Sequence, residues 1–102
     1  MKNYFSPVLA YKSSGARWIK KKGLVILLES KKGRYYRLNT TASLIWDLCD
    51  GVHNEKYIAS IIRQKFKINK PEELEQDIRK LILNLVDNGL LVLKKSKKSY
   101  EK

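Results

Sequence analysis

The spacing of apolar and polar positions changes once along the chain, near residue 39. Before it, Arg17–Lys20 (RWIK) and Leu24–Ser30 (LVILLES) are rich in β-branched and aromatic residues and are separated by Lys21, Lys22 and Gly23, the arrangement of a hairpin. A second turn is expected at Lys31–Gly33, and Arg34–Leu38 (RYYRL) reads as a third strand, so three short strands predict an antiparallel meander. Residues 1–15, with Pro7, Ser13, Ser14 and Gly15, read as a lead-in where only Val8–Tyr11 suits a short strand.

After Asn39 the period lengthens to that of a helix. Asn39 or Thr40 is placed to cap a first helix over 40–50, with Ala42, Leu44, Ile45, Trp46 and Leu48 as its apolar face and Gly51 ending it in the left-handed conformation. Asn54 caps a second helix that buries Ile58, Ala59, Ile61, Ile62 and Phe66 and ends near Lys67. Pro71 opens a third, its first turns carry acids that suit the helix dipole, and Asn88-Gly89 closes it. Leu90–Leu93 is a final strand or a packed extension. Strands grouped before helices predict an α+β domain, a three-stranded antiparallel sheet followed by three helices, with helices two and three in a winged helix-turn-helix-like arrangement across the Ile68–Lys70 link. The expected organisation is a lead-in over 1–15, one domain over 16–93 and a basic tail over 94–102.

Length and charge refine this picture. A chain of 102 residues, 43% hydrophobic, has material for one core. The net charge of +12 is concentrated: residues 1–39 hold ten Lys/Arg against Glu29 alone, whereas residues 40–93 hold seven basic and eight acidic side chains. Such a charge fits nucleic acid, an anionic membrane or an acidic protein. The longest apolar run, Leu24–Leu28, is far shorter than a membrane span, and the N-terminus lacks the apolar stretch of a signal peptide, so a soluble, unprocessed, cytoplasmic protein is expected.

Catalytic chemistry finds no support in the residues. Cys49 is the single cysteine and reads as a core thiol; no Cys/His spacing suits a metal, and no glycine-rich loop suits a phosphate, so no cofactor is expected. His53 reads as a solvated loop residue without a nucleophile near it. Glu72, Glu73, Glu75 and Asp77 are explained by the helix dipole. In a DNA-binding helix-turn-helix those same acids would face the phosphates, so a winged-helix DNA-binding protein remains an alternative only if its basic hairpins make the contact.

A peptide partner is the other candidate. RYYRLN, as the last strand, offers a sheet edge to an extended segment, with protective edge charges as the plain alternative. On helix three, Leu74, Ile78, Leu81 and Leu85 form the core stripe, while Ile82, Val86, Arg79 and Leu83 broaden it to one side, to about 180° from Leu74. Contact with the chain ends explains that broadening as readily as a partner groove does.

Leu38-Asn39, Ala42, Ile45-Trp46, Leu48 and Asp50-Gly51, followed by an amphipathic helix and a third helix ending NLVDNGLL, resemble the PqqD family, recognition elements for precursors of ribosomally synthesised, modified peptides. The similarity spans about residues 16–93, and GRYYRLNTTA is more similar to the lasso-peptide type. It implies a non-catalytic domain that binds the leader of a precursor peptide as an added strand along the third strand, in a cleft against the third helix, and delivers it to a processing enzyme such as a leader peptidase or a radical S-adenosylmethionine enzyme. Carried onto this sequence, the backbone of Tyr35–Leu38 pairs with the leader. Either Tyr36 and Leu38 or Tyr35 line the cleft, according to which parity faces inward, with Tyr36 preferred because Leu38 looks core-facing. Arg34, Arg37 and Arg79 are placed to meet leader acids, and Ile82, Leu83 and Val86 to form the helix wall.

Overall fold

The computed structural model describes residues 9–29, 32–67 and 71–94; Ser30, Lys31, the Ile68–Lys70 link, residues 1–8 of the lead-in and the tail beyond Lys94 lie outside them. The chain runs β1 (Leu9–Lys12), β2 (Arg17–Lys21), β3 (Leu24–Glu29), β4 (Arg34–Arg37), α1 (Thr40–Leu48), β5 (Asp50–Asn54), α2 (Glu55–Phe66), α3 (Pro71–Asp87) and β6 (Leu91–Leu93).

The expected meander is present as the antiparallel sheet β2-β3-β4. Its first turn is Lys22-Gly23, at φ 53° and 82°. Positive φ at both central residues marks the turn whose twist matches a two-residue hairpin. Pairing of Trp18 with Leu27 and of Leu27 with Tyr36 puts these three on one face, together with Val25 and Leu38. That face carries the core: Val25, Leu27 and Leu38 are buried with Ile45 and Trp46 of α1, Ile58 and Ile62 of α2, and Ile78, Ile82 and Leu85 of α3.

Ser43, a polar residue within this core, ties α1 to the sheet. Its hydroxyl accepts from the Val25 amide at 2.8 Å and donates to the Leu38 carbonyl at 3.2 Å. Asn39 Oδ1 caps α1 by accepting from Ala42 N, and Asn54 Oδ1 caps α2 by accepting from Tyr57 N. At the far end of α3, Gly89 N bonds to Val86 O and Leu90 N to Leu85 O, the paired bonds that close a helix on a left-handed residue.

A second three-stranded sheet, β5-β1-β6, was not anticipated. Leu9–Lys12, where Val8–Tyr11 of the lead-in suits a short strand, is its central strand, and Ala10 lies in the core of the domain. Within Leu90–Leu93, for which sequence allows a strand or a packed extension, Leu91–Leu93 form the strand β6 against β1. Helix α1 stops at Leu48 rather than residue 50, because Cys49 leaves helical geometry and the chain enters β5. Gly51 does take the left-handed conformation, φ 82°, but within β5, where the register to β1 shifts between the pairs Leu9–Asn54 and Tyr11–Asp50. A shift of this kind needs a residue tolerant of positive φ.

The two sheets meet around a lysine. Lys12 Nζ donates to the carbonyls of Trp46 at 2.7 Å and Cys49 at 3.2 Å and lies over the Trp18 and Trp46 rings. A cation at the carbonyl end of α1 complements the negative end of the helix dipole and satisfies oxygens that the helix leaves open. Burial pushes the Lys12 ammonium below its ordinary pKa, with the Cys49 thiol acting the other way.

Candidate functional site: the open edge of β4 beside α3

In an antiparallel ladder successive residues turn their backbone groups alternately toward the neighbouring strand and away from it. Leu38 N donates to Val25 O at 2.9 Å, and the register pairs Leu27 with Tyr36 and Glu29 with Arg34. Arg34, Tyr36 and Leu38 therefore direct N–H and C=O toward β3. Tyr35 and Arg37 direct theirs to the outer edge, where β4 has no neighbouring strand among the described residues. Side chains alternate as well: Tyr36 and Leu38 turn inward, Tyr35 and Arg37 outward. The inward parity is the one preferred from sequence.

Tyr36 marks where this edge meets the helices. Its ring is half-buried against the core, and its hydroxyl donates to Asn88 Oδ1 at 3.3 Å, at the C-terminal end of α3. Asn88 Nδ2 in turn donates to Asn84 O at 2.9 Å. At about 100° per residue, Asn88, Asn84 and Leu81 share one side of α3, and Asn88 is the residue of that side that reaches β4. Sequence places Leu81 on the core stripe and Asn88 at the helix end, and none of the three is among the expected cleft residues. The only signal for Asn88 was its place before the capping glycine.

The remaining expected site residues separate. Arg34 and Arg37 are exposed on β4, and Tyr35 is 69% exposed on the outer face. Leu38 is a core residue, and Ile82 is 1% exposed, so neither side chain lines an open surface. Arg79 binds Glu55 of α2, Nη2 to Oε2 at 2.6 Å, with the carboxylate side chain 4% exposed. Arg79, Leu83 and Val86 lie about 140–180° around α3 from Asn88. On the broadened apolar side of α3, Arg79 thus meets α2 and Leu83 meets solvent, on the side away from Asn88. Helical periodicity reveals how wide an apolar face is; it does not reveal which neighbour covers it.

His53, expected in a solvated loop, lies in β5, with Nδ1 2.8 Å from the Asp50 carboxylate and its ring stacked on Tyr57 at 4.4 Å. Hydrogen bonds from the Val52 amide and then from the His53 amide and ring hold the Asp50 carboxyl below its usual pKa. This is a turn-stabilising arrangement in which Asp50 Oδ1 accepts from both backbone amides. Among the described residues no group of three His, Cys, Asp or Glu could hold a metal ion, and no helix is long and apolar enough to cross a membrane.

The family described as coenzyme PQQ synthesis protein D (PqqD) matches residues 25–91, which include β4, all three helices and the first residue of β6. The chain belongs to the PqqD family. Its fold is also that of solved structures. TbiB1 in complex with the TbiA(beta) leader peptide aligns at a TM-score of 0.71 and 22% identity, covering 84% of this chain and 99% of that one. A lasso peptide synthetase B1 complexed with the leader peptide aligns at 0.70 and 23%, covering 81% and 96%. The PqqD truncation of Methylobacterium extorquens PqqCD, a stand-alone recognition element for ribosomally synthesised and post-translationally modified peptides, aligns at 0.67 and 25%, covering 87% and 95%. A search among curated proteins finds no match. The α+β architecture, with an antiparallel three-stranded sheet and three helices, is therefore common to this chain and to PqqD-type recognition elements.

Proposed function

We propose that the chain is a non-catalytic recognition element that binds the leader of a ribosomally synthesised precursor peptide as an added strand on β4, beside the Asn84–Asn88 face of α3, and brings it to a processing enzyme. The observation that carries this reading is the open β4 edge, with the backbone groups of Tyr35 and Arg37 turned outward. Main-chain pairing gives such a site affinity for an extended segment of almost any sequence, and the pockets under alternate side chains give selectivity. Two of the solved relatives are themselves complexes with leader peptides, and all three are similar in fold along most of this chain.

The reading assigns no chemistry to this chain. Holding the substrate close to an enzyme raises the local concentration of one for the other, and the reaction belongs to the enzyme. DNA binding gains nothing from the structure, since α3 opens with exposed Glu72 and Glu73, which repel phosphate.

The backbone parity supplies the test. Arg37→Pro removes an outward-facing N–H and leaves the β3 ladder bonded, as proline on a sheet edge permits. In fluorescence anisotropy with the cognate leader peptide, the folded variant is expected to lose at least about tenfold in affinity, the loss of one hydrogen bond plus disturbed packing along the strand. Unchanged affinity rules out strand addition at this edge.

A further inference from the structure

The apolar run Leu24–Leu28 has no polar interruption, a pattern typical of strands covered on both faces. Only one face of β3 is covered among the described residues. Val25 and Leu27 point into the core; Leu24, Ile26 and Leu28 point away from it. Cross-strand pairing places Ile19 opposite Ile26 and Tyr35 opposite Leu28, so the outer face continues as an apolar strip over all three strands. Ile19 is 60% exposed and Tyr35 69%, and they belong to one contiguous strip rather than standing singly.

The strip has relief. Two shallow depressions adjoin at Ile26, one of about 330 Å³ between Ile19, Leu28 and Tyr35, the other of about 300 Å³ between Leu24, Ile26 and Arg37. Its border is basic: Arg17 and Lys21 share its face on β2, Arg37 on β4, and Lys22 stands at the turn. A partner that fits has an apolar ridge with acidic residues around it. A second copy of this chain, at +12, would set like charges against one another.

We infer that the outer face of β2-β3-β4 is the docking surface for the processing enzyme, which meets it with an acid-rimmed apolar patch. The inference rests on the leader-binding reading, and geometry links the two. A leader strand added to β4 extends this same sheet, so an enzyme seated on its outer face lies directly against the strand that carries its substrate. Binding leader on the edge and enzyme on the face leaves both sites free to be filled together.

The test uses the full chain, its cognate leader peptide and the purified enzyme that processes that precursor, with two variants that leave the β4 edge and the α3 face untouched: Ile19→Glu and the charge reversal Arg17→Glu/Lys21→Glu. All three positions are exposed, so the core is retained in both. Calorimetric titration is expected to show at least about tenfold weaker enzyme binding by each variant and leader affinity within about twofold of the parent, as for a patch whose centre is apolar and whose rim steers by charge. Enzyme affinity unchanged in both variants overturns the inference. So does parent-chain binding to vesicles of one part phosphatidylserine to three parts phosphatidylcholine that is lost in Ile19→Glu, or self-association of the parent in sedimentation velocity that is lost in the same variant, since either assigns the face to another occupant. Enzyme binding that depends on this face in a chain without leader affinity upholds the surface and overturns the leader reading instead.

Discussion

The Tyr36 hydroxyl donates to Asn88 Oδ1 at 3.3 Å, joining the strand with the open edge to the end of α3. Tyr36 is thus both a wall of the proposed cleft and a strut that sets its spacing. The two roles come apart under substitution. Tyr36→Phe keeps the ring and removes the hydrogen bond, which costs about 0.5–1.5 kcal/mol of stability in urea unfolding and is recovered as coupling in a cycle with Asn88→Ala. Tyr36→Ala also removes the ring, and leader affinity is expected to fall at least about tenfold, against less than about threefold for Tyr36→Phe.

Placement around α3 gives a paired comparison. Leu83 and Asn84 are adjacent and both exposed, yet one helical step of about 100° separates their directions. Asn84 shares a face with Asn88, to which it is hydrogen-bonded; Leu83 is turned away. Asn84→Glu is therefore expected to weaken leader binding at least about fivefold through a desolvated carboxylate in the cleft, while Leu83→Glu leaves it within about twofold. The opposite ranking in the same titration would place the leader on the α2 side of α3.

Ser43 carries a stability prediction. Its Oγ is the acceptor for Val25 N and the donor to Leu38 O, inside the junction from which β4 leads into α1. Ser43→Ala strands a buried N–H and weakens the partner of a buried carbonyl, a cost of about 1–3 kcal/mol. Thermal unfolding is expected to shift down by about 4–8 °C for each kcal/mol lost in a domain of this size. Because the Leu38 end of β4 is anchored through this hydroxyl, amide exchange at Val25 is expected to accelerate in step with the loss.

The local elements were legible in the sequence to the extent that their signals are local. Asn39, Asn54 and Gly89 announce helix ends through their own backbone preferences, and Lys22-Gly23 announces a hairpin. The sheet β5-β1-β6 was not legible, since it joins residues about 40 to 80 positions apart through short strands, one of which, DGVHN, looks like a helix stop followed by a loop. The site divides the same way. Alternation in RYYRL together with the inward lean of Leu38 points Tyr36 inward, as its ring lies in the structure, whereas the neighbour that each side of α3 meets depends on tertiary placement, and Arg79 pairs with the buried carboxylate of Glu55.

Cys49 offers a probe of that second sheet. The thiol is 1% exposed at the junction of α1 and β5, and burial raises its pKa to about 11 against an ordinary 9.0, with Lys12 opposing the rise. A group whose folded pKa is raised contributes stability that is fully present below 9.0 and is lost as pH climbs toward about 11, because the unfolded chain releases the proton first. At pH 8 the thiolate fraction is about 100-fold lower in the native chain than in the unfolded one, and thiolate is the reactive form. Disulfide-exchange labelling of native protein at pH 8 is accordingly expected to run at least about 100-fold slower than in 6 M guanidinium, with steric exclusion slowing it further. A native rate within about tenfold of the denatured one would mean that β5 separates from β1 and exposes the end of α1 without global unfolding, a local opening that a core thiol reports and an exposed one cannot.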